Sequence, residues 1–152
     1  MQGIEIRPKH YMAAATPRFT SAQRLAKGDE CDMAAATYCA GLAVECALKS
    51  FLPIGREMDR RHNLEALAQR GVFLRVDASQ RERLVSLLTE LKPLWKNSLR
   101  YYSPERFEAF SRHLVGQWSE KSVKGSHAGY LVRIVLSTTE AILKECKKAW
   151  QS

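Results

Sequence analysis

The residues best able to do chemistry are Glu45 and Lys49, two charged side chains inside an otherwise apolar helical stretch, residues 38–52. Charged residues are almost never fully buried unless they are paired. Because the two residues lie four apart, with the acid first, they can form an ion pair on one helix face. The pattern allows a base or ligand-orienting carboxylate in a cleft. It favours a partly buried polar network that also recruits His62 or Arg100.

His62 and Arg100 are the residues that could act on RNA. Metal-independent RNA cleavage needs a group that removes the 2′-hydroxyl proton, commonly His, and positive charge that stabilises the phosphorane, commonly Arg. If the fold brings them together, they form a catalytic or phosphate-binding pair. The favoured alternative is structural: His62 caps a short helix and Arg100 anchors Glu45.

Aromatic and basic residues alternate just before and after Arg100. Trp95, Tyr101 and Tyr102 lie beside Lys96 and Arg100. Such interleaving can stack the bases of a single strand while the cations contact phosphates, and Tyr101 is a candidate ligand-binding residue. Aromatic residues at helix ends more often close the core of a bundle, and this is the favoured interpretation.

The charge balance points to an anionic partner. The 152-residue chain carries 24 Lys and Arg against 16 Asp and Glu, a formal net charge of +8. Such an excess favours RNA, DNA, nucleotides or acidic proteins, although an inert basic surface has the same composition. The longest nearly apolar run, residues 34–44, is too short to span a membrane, and the N-terminal residues do not resemble a secretory signal. We therefore expect a cytoplasmic protein without a membrane partner.

The four cysteines predict neither disulfides nor a metal site. They include no C-x-x-C pair and do not cluster at ligand spacing with the four histidines. Small buried thiols are expected instead. No metal and no cofactor is predicted. The cysteines are Cys31, Cys39, Cys46 and Cys146.

Helical periodicity predicts an all-α protein, an antiparallel up-and-down bundle of four to five main helices with additional short helices. Residues 1–15 are expected to form a loosely docked N-terminal arm, and residues 16–152 a single helical domain. The second helix is predicted to begin at Asp29 or Asp32, and a flexible basic loop is predicted over residues 119–129. The helices are predicted over residues 16–28, 32–52, 62–71, 79–93, 103–118 and 130–150.

Three segments resemble a known family, the HEPN domains (higher eukaryote and prokaryote nucleotide-binding), of prokaryotic type. Residues 38–52 resemble the family's signature helix, with the pattern Tyr-x-Ala-Gly-x-Ala-Val-Glu-x-x-Leu-Lys-x-x-Leu. Residues 62–67 resemble its His-Asp-Leu-x-x-Leu segment. Residues 99–101 resemble its short Arg-Tyr motif, and the three occur in the family's order.

The resemblance implies a bundle that often forms homodimers. Many family members are ribonucleases, frequently toxins paired with a small nucleotidyltransferase, and others bind nucleotides. Their catalytic motif is an Arg, usually followed by a polar residue, and a His four to six residues further on. Arg56 with His62, and Arg106 with His113, approach this spacing. However, Arg56 precedes the long helices that normally come before the motif, and Phe107 follows Arg106.

We therefore expect a HEPN-like dimeric helical module that binds RNA, a nucleotide or a partner protein without clear catalysis. The alternative is a metal-independent HEPN ribonuclease, the toxin of a toxin–antitoxin pair with a nucleotidyltransferase. A third interpretation is a purely structural subunit that assists such an enzyme. If catalysis occurs, His62 and Arg100 are its predicted residues, with Glu45, Lys49 and Tyr101 in the ligand site or polar network.

Overall fold

The fold is an all-α helical bundle, as predicted. The computed structural model describes residues 6–53, 62–118 and 126–151. Within them lie six α-helices and three short 3₁₀ turns, which cover Val72–Leu74, Lys92–Leu94 and Asn97–Tyr101. The helices are α1 (Pro8–Leu25), α2 (Met33–Lys49), α3 (Leu64–Arg70), α4 (Ala78–Leu91), α5 (Pro104–Trp118) and α6 (His127–Gln151).

Helix α2 is the centre of the bundle. It packs against α1 and α6 along its length and also contacts α3, α5 and the 3₁₀ turn before α5. Small side chains allow this close approach from several sides, because they keep neighbouring helix axes near. Those that are buried are Ala34, Ala36, Ala40, Gly41, Ala43 and Ala47.

Helix α1 begins earlier than the sequence suggested. It starts at Pro8, so residues 8–15 are helical, and the prediction of a helix start at Thr16 and Pro17 was wrong. Residues 1–5 of the predicted arm lie outside the described residues. Pro17 stands inside the helix, where it removes one backbone hydrogen bond. Fully buried Ala15 and Ala22 flank it, and this packing keeps the helix continuous.

Local capping chemistry sets most of the other helix starts. The side chains of Asp32 and Asn63 accept hydrogen bonds from the third residue beyond them and so cap α2 and α3. His62 is therefore not the cap of α3. The predicted start of α4 at residue 79 was wrong, because Asp77 caps this helix and forms a capping box with Gln80, with hydrogen bonds of 2.8 and 3.3 Å.

Helix α6 begins at His127, three residues before its predicted start, and a carboxylate from α5 explains why. Glu108 accepts hydrogen bonds from the backbone N–H groups of His127 (3.1 Å) and Ala128 (3.0 Å), and its Oε1 lies 3.2 Å from His127 Nδ1. These N–H groups have no partner within the helix. Most of the basic loop predicted over residues 119–129 lies outside the described residues, but residues 127–129 are helical.

Two opposing influences set the pKa of Glu108. Desolvation by burial acts to raise it, but the hydrogen bonds from Ala128 and His127 and the nearby imidazole outweigh this, so the pKa lies below its ordinary value. A depressed pKa means that the folded state prefers the carboxylate. The resulting stabilisation is present above the pKa of the unfolded chain and is lost as the pH falls through the folded-state pKa.

Replacing Glu108 by Ala is therefore expected to lower the free energy of unfolding by about 1 kcal/mol at pH 7, the usual contribution of a cap. The difference from the unsubstituted protein should shrink as the pH falls through the folded-state pKa of Glu108, which lies below its ordinary value. Urea unfolding at pH 7 and at a series of lower pH values measures this. Glu90→Ala, an exposed acid on α4, is the control and should change stability by less than about 0.5 kcal/mol. A pH-independent difference for Glu108→Ala would contradict the assignment.

Candidate functional site

Glu45 lies at the centre of a buried ion cluster. Its side chain is held by α2 in the core, where the residue is 3% exposed, and Lys49 one turn later is 8% exposed. Lys49 Nζ lies 3.0 Å from Glu45 Oε1, and His62 Nδ1 lies 2.9 Å from the same oxygen. We call Glu45, Lys49 and His62 the ion cluster. This geometry agrees with the favoured sequence interpretation, a partly buried polar network of Glu45 with Lys49 and His62.

His62 gives the ion cluster its contact with solvent. Its side chain is 45% exposed, although the carboxylate that it meets is almost fully buried. Because His62 contacts Glu45 through Nδ1, its Nε2 is the nitrogen that can exchange a proton with a ligand. The arrangement is a carboxylate-oriented imidazole, which can act as a general base or acid.

Arg100 takes no part in this cluster. Within the described residues, no hydrogen bond or ion pair joins it to Glu45 or His62, so the expectation that Arg100 anchors Glu45 was wrong. Arg100 lies on the 3₁₀ turn before α5. The buried side chain of this turn is Leu99, and the side chain of Arg100 is exposed. The Arg100 guanidinium lies 4.7 Å from the ring centroid of Tyr101, which is 74% exposed.

A basic–aromatic surface surrounds this turn. Arg106 lies 4.7 Å from the ring centroid of Tyr102, and Lys96 lies 5.3 Å from that of Phe110. The rings of Tyr102 and Phe110 meet edge to face, with centroids 5.7 Å apart, and so join the two pairs. The basic–aromatic surface consists of Lys96, Arg100, Tyr101, Tyr102, Arg106 and Phe110.

The sequence anticipated part of this surface. Trp95 is buried, and its indole N–H donates to the Tyr38 carbonyl (3.2 Å), so it closes the core as favoured. Tyr101 is exposed and does not close the core, so the core interpretation was wrong for this residue. Arg106 and Phe110 were not recognised as part of the surface. The available signal was the Ser103 cap, which places the first two turns of α5 directly after the aromatic residues.

The other candidate motif residues give no comparable arrangement. Arg56 lies outside the described residues. Arg106 and His113 are two helical turns apart on α5, both exposed, and Arg106 is engaged with Tyr102. The Arg–His spacing of the ribonuclease motif therefore does not by itself locate a site.

The thiols are mostly shielded. Burial raises the pKa of Cys39 and Cys46, and burial together with Glu145 raises that of Cys146 to about 12. Cys146 is buried as expected, Cys39 and Cys46 are partly buried, and Cys31 is exposed, so the expectation of a buried thiol was wrong for Cys31. Cys31 lies between the end of α1 and the start of α2. Among the described residues, no three His, Cys, Asp or Glu side chains converge as a metal site would require.

In the described part of the chain, no helix is both long enough and apolar enough to cross a membrane. Comparisons of the chain with protein-family models, with curated proteins and with solved structures give no match.

Proposed function

We propose that the protein is a HEPN-like helical module that binds single-stranded RNA through the basic–aromatic surface and has no catalytic activity of its own. The observation that carries the proposal is Tyr101, a large aromatic ring that is 74% exposed, with the Arg100 guanidinium 4.7 Å from its ring centroid. An exposed ring beside a cation is the arrangement on which nucleic-acid bases stack.

Uncompensated charge on the same surface supports RNA as the ligand. Lys96, Arg100 and Arg106 each contact an aromatic ring, and no carboxylate among the described residues pairs with them. Positive charge beside stacking rings matches the alternation of phosphates and bases along a single strand. The formal net charge of +8 adds long-range attraction for a polyanion.

Tyr101→Ala is expected to weaken binding of a short fluorescent single-stranded RNA about tenfold, because a stacked base contributes about 1–3 kcal/mol. Fluorescence anisotropy at several salt concentrations measures this, and Arg100→Gln should also reduce the salt dependence of the affinity. Leu74→Ala is the matched control, since Leu74 is equally exposed (74%) but carries no base-stacking ring. Equal affinity of Tyr101→Ala and the unsubstituted protein would overturn the proposal.

The assembly belongs to the same proposal. The resemblance of residues 38–52 to the family's signature helix supports a homodimer and a nucleotidyltransferase partner protein. Light scattering of the purified protein tests the first of these. If the protein is a monomer at micromolar concentration, the homodimer part of the proposal is wrong. RNA would then bind to the basic–aromatic surface of a single chain.

A ribonuclease is the second candidate, and the contact between Glu45 and His62 favours it. A buried carboxylate that orients an exposed imidazole is suited to remove a 2′-hydroxyl proton. The test is incubation of a total RNA pool, transfer RNA included, with the protein in the absence of metal. For a binding module we expect no cleavage. Cleavage that both His62→Ala and Arg100→Ala abolish, with folding intact, would establish the ribonuclease instead.

A further inference from the structure

A cleft between α3 and α4 shares no lining residue with the basic–aromatic surface. It encloses about 830 Å³, within the range of sites for small organic molecules. Apolar side chains make up much of its wall, Arg81 and Lys92 are its cations, and the lining also includes His62. The apolar side chains are Leu64, Phe73, Val85, Leu88 and Trp95.

Only part of the positive charge in the cleft is compensated. Lys92 Nζ lies 3.3 Å from Glu65 Oε2, and His62 is held by Glu45. Arg81 lies with its guanidinium 5.6 Å from the ring centroid of Phe73, and no carboxylate among the described residues pairs with it. The cleft therefore offers one uncompensated positive charge above an apolar wall.

Two polar side chains of the cleft are engaged in local hydrogen bonds. The Thr89 hydroxyl donates to the Val85 carbonyl (2.7 Å), and Asn63 Oδ1 accepts from the backbone of Ala66 (3.1 Å). Because apolar side chains make up much of the wall, a ligand that is polar along its length would be desolvated there without full compensation. A single anionic group on an apolar body fits better.

We propose that the cleft binds a small amphipathic monoanion, an aliphatic or aromatic carboxylate, whose charged group meets Arg81 and whose apolar body lies against Phe73, Leu88 and Trp95. Arginine suits this role because its planar guanidinium can donate two parallel hydrogen bonds to a carboxylate. The apolar body gains free energy from burial in the cleft. This site does not include the basic–aromatic surface through which RNA is proposed to bind.

Isothermal titration calorimetry with decanoate, below the concentration at which it forms micelles, tests the proposal. We expect saturable binding of one decanoate per chain, weakened about tenfold by Arg81→Gln through loss of the charge-assisted hydrogen bonds. Val85→Trp should also weaken binding, because Val85 is 44% exposed and a larger side chain there occupies the cleft. Arg112→Gln, an exposed cation on α5, is the matched control and should bind as the unsubstituted protein does.

Three results would overturn the proposal. One is the absence of decanoate binding, and another is unchanged affinity in both Arg81→Gln and Val85→Trp. The third is binding of adenosine monophosphate in preference to decanoate, which would assign the cleft to nucleotides. Tyr101→Ala should leave decanoate binding unchanged, so that a failure of the RNA proposal is distinguishable from a failure of this one.

Discussion

Replacing Glu45 by Ala is expected to lower the free energy of unfolding by about 3–5 kcal/mol, the usual effect of removing one member of a buried ion pair. Lys49 would then lie in the core, 8% exposed, without the carboxylate 3.0 Å away. His62 would lose the same oxygen at 2.9 Å. The cost arises mainly from the charge left buried rather than from the attraction that is lost.

Urea unfolding at pH 7 measures the effect, and two variants separate its causes. Glu65→Ala removes an acid from the exposed pair with Lys92 and should cost no more than about 1 kcal/mol. The double variant Glu45→Leu with Lys49→Met removes both charges and should recover much of the stability, because well-packed apolar side chains can replace a buried ion pair. If Glu45→Ala lowers the free energy of unfolding no more than Glu65→Ala does, burial of the ion cluster does not increase its effect on stability.

Gly41→Ala is expected to lower the free energy of unfolding by about 3 kcal/mol, at the upper end of the usual cost of overpacking a core. A Cβ at this position of α2 would overlap the Trp95 indole, at Nε1, Cδ1 and Cε2. Trp95 would have to move, and it would then lose the hydrogen bond to the Tyr38 carbonyl. The contact is between a helix backbone and a ring, so no flexible side-chain end can yield.

The same substitution elsewhere provides the control. Gly116 lies inside α5 with open space where a Cβ would stand, and Gly116→Ala should raise the free energy of unfolding by about 0.5–1 kcal/mol through its better helix propensity. Urea unfolding of the two variants should therefore give shifts of opposite sign. A stabilising effect of Gly41→Ala would contradict the close approach of Trp95 to α2.

Local chemistry in the sequence was enough to predict much of the fold. The apolar pattern of residues 38–52 identified the buried helix α2. The predicted helix starts at Asp32 and at residue 103 are confirmed, because the side chains of Asp32 and Ser103 cap α2 and α5. The start of α1 was not predicted, because proline is typical of the first position of a helix. The structure shows that Pro17 instead lies in the interior of α1.

The candidate site was less predictable, because its members meet through the fold. Glu45 and Lys49 could be paired from their spacing, but His62 is 17 residues from Glu45, and its role depends on how α3 packs against α2. The sequence offered Arg100 as an equally good partner. In the structure Leu99 is buried in the short turn, and Arg100 contacts Tyr101 instead of Glu45. A turn this short has no repeating hydrophobic pattern from which the direction of its side chains could be predicted.

The crowding around α2 also bears on how this protein can evolve. Neighbouring helices approach along nearly its whole circumference, so the helix has little surface on which mutations accumulate freely. Selection on α2 therefore acts on side-chain volume. Where the ring of Trp95 or a neighbouring backbone leaves no room for a larger side chain, only another small residue can take the place of a small one. Descendants of this chain should therefore preserve a profile of residue sizes along α2 long after most amino-acid identities have drifted.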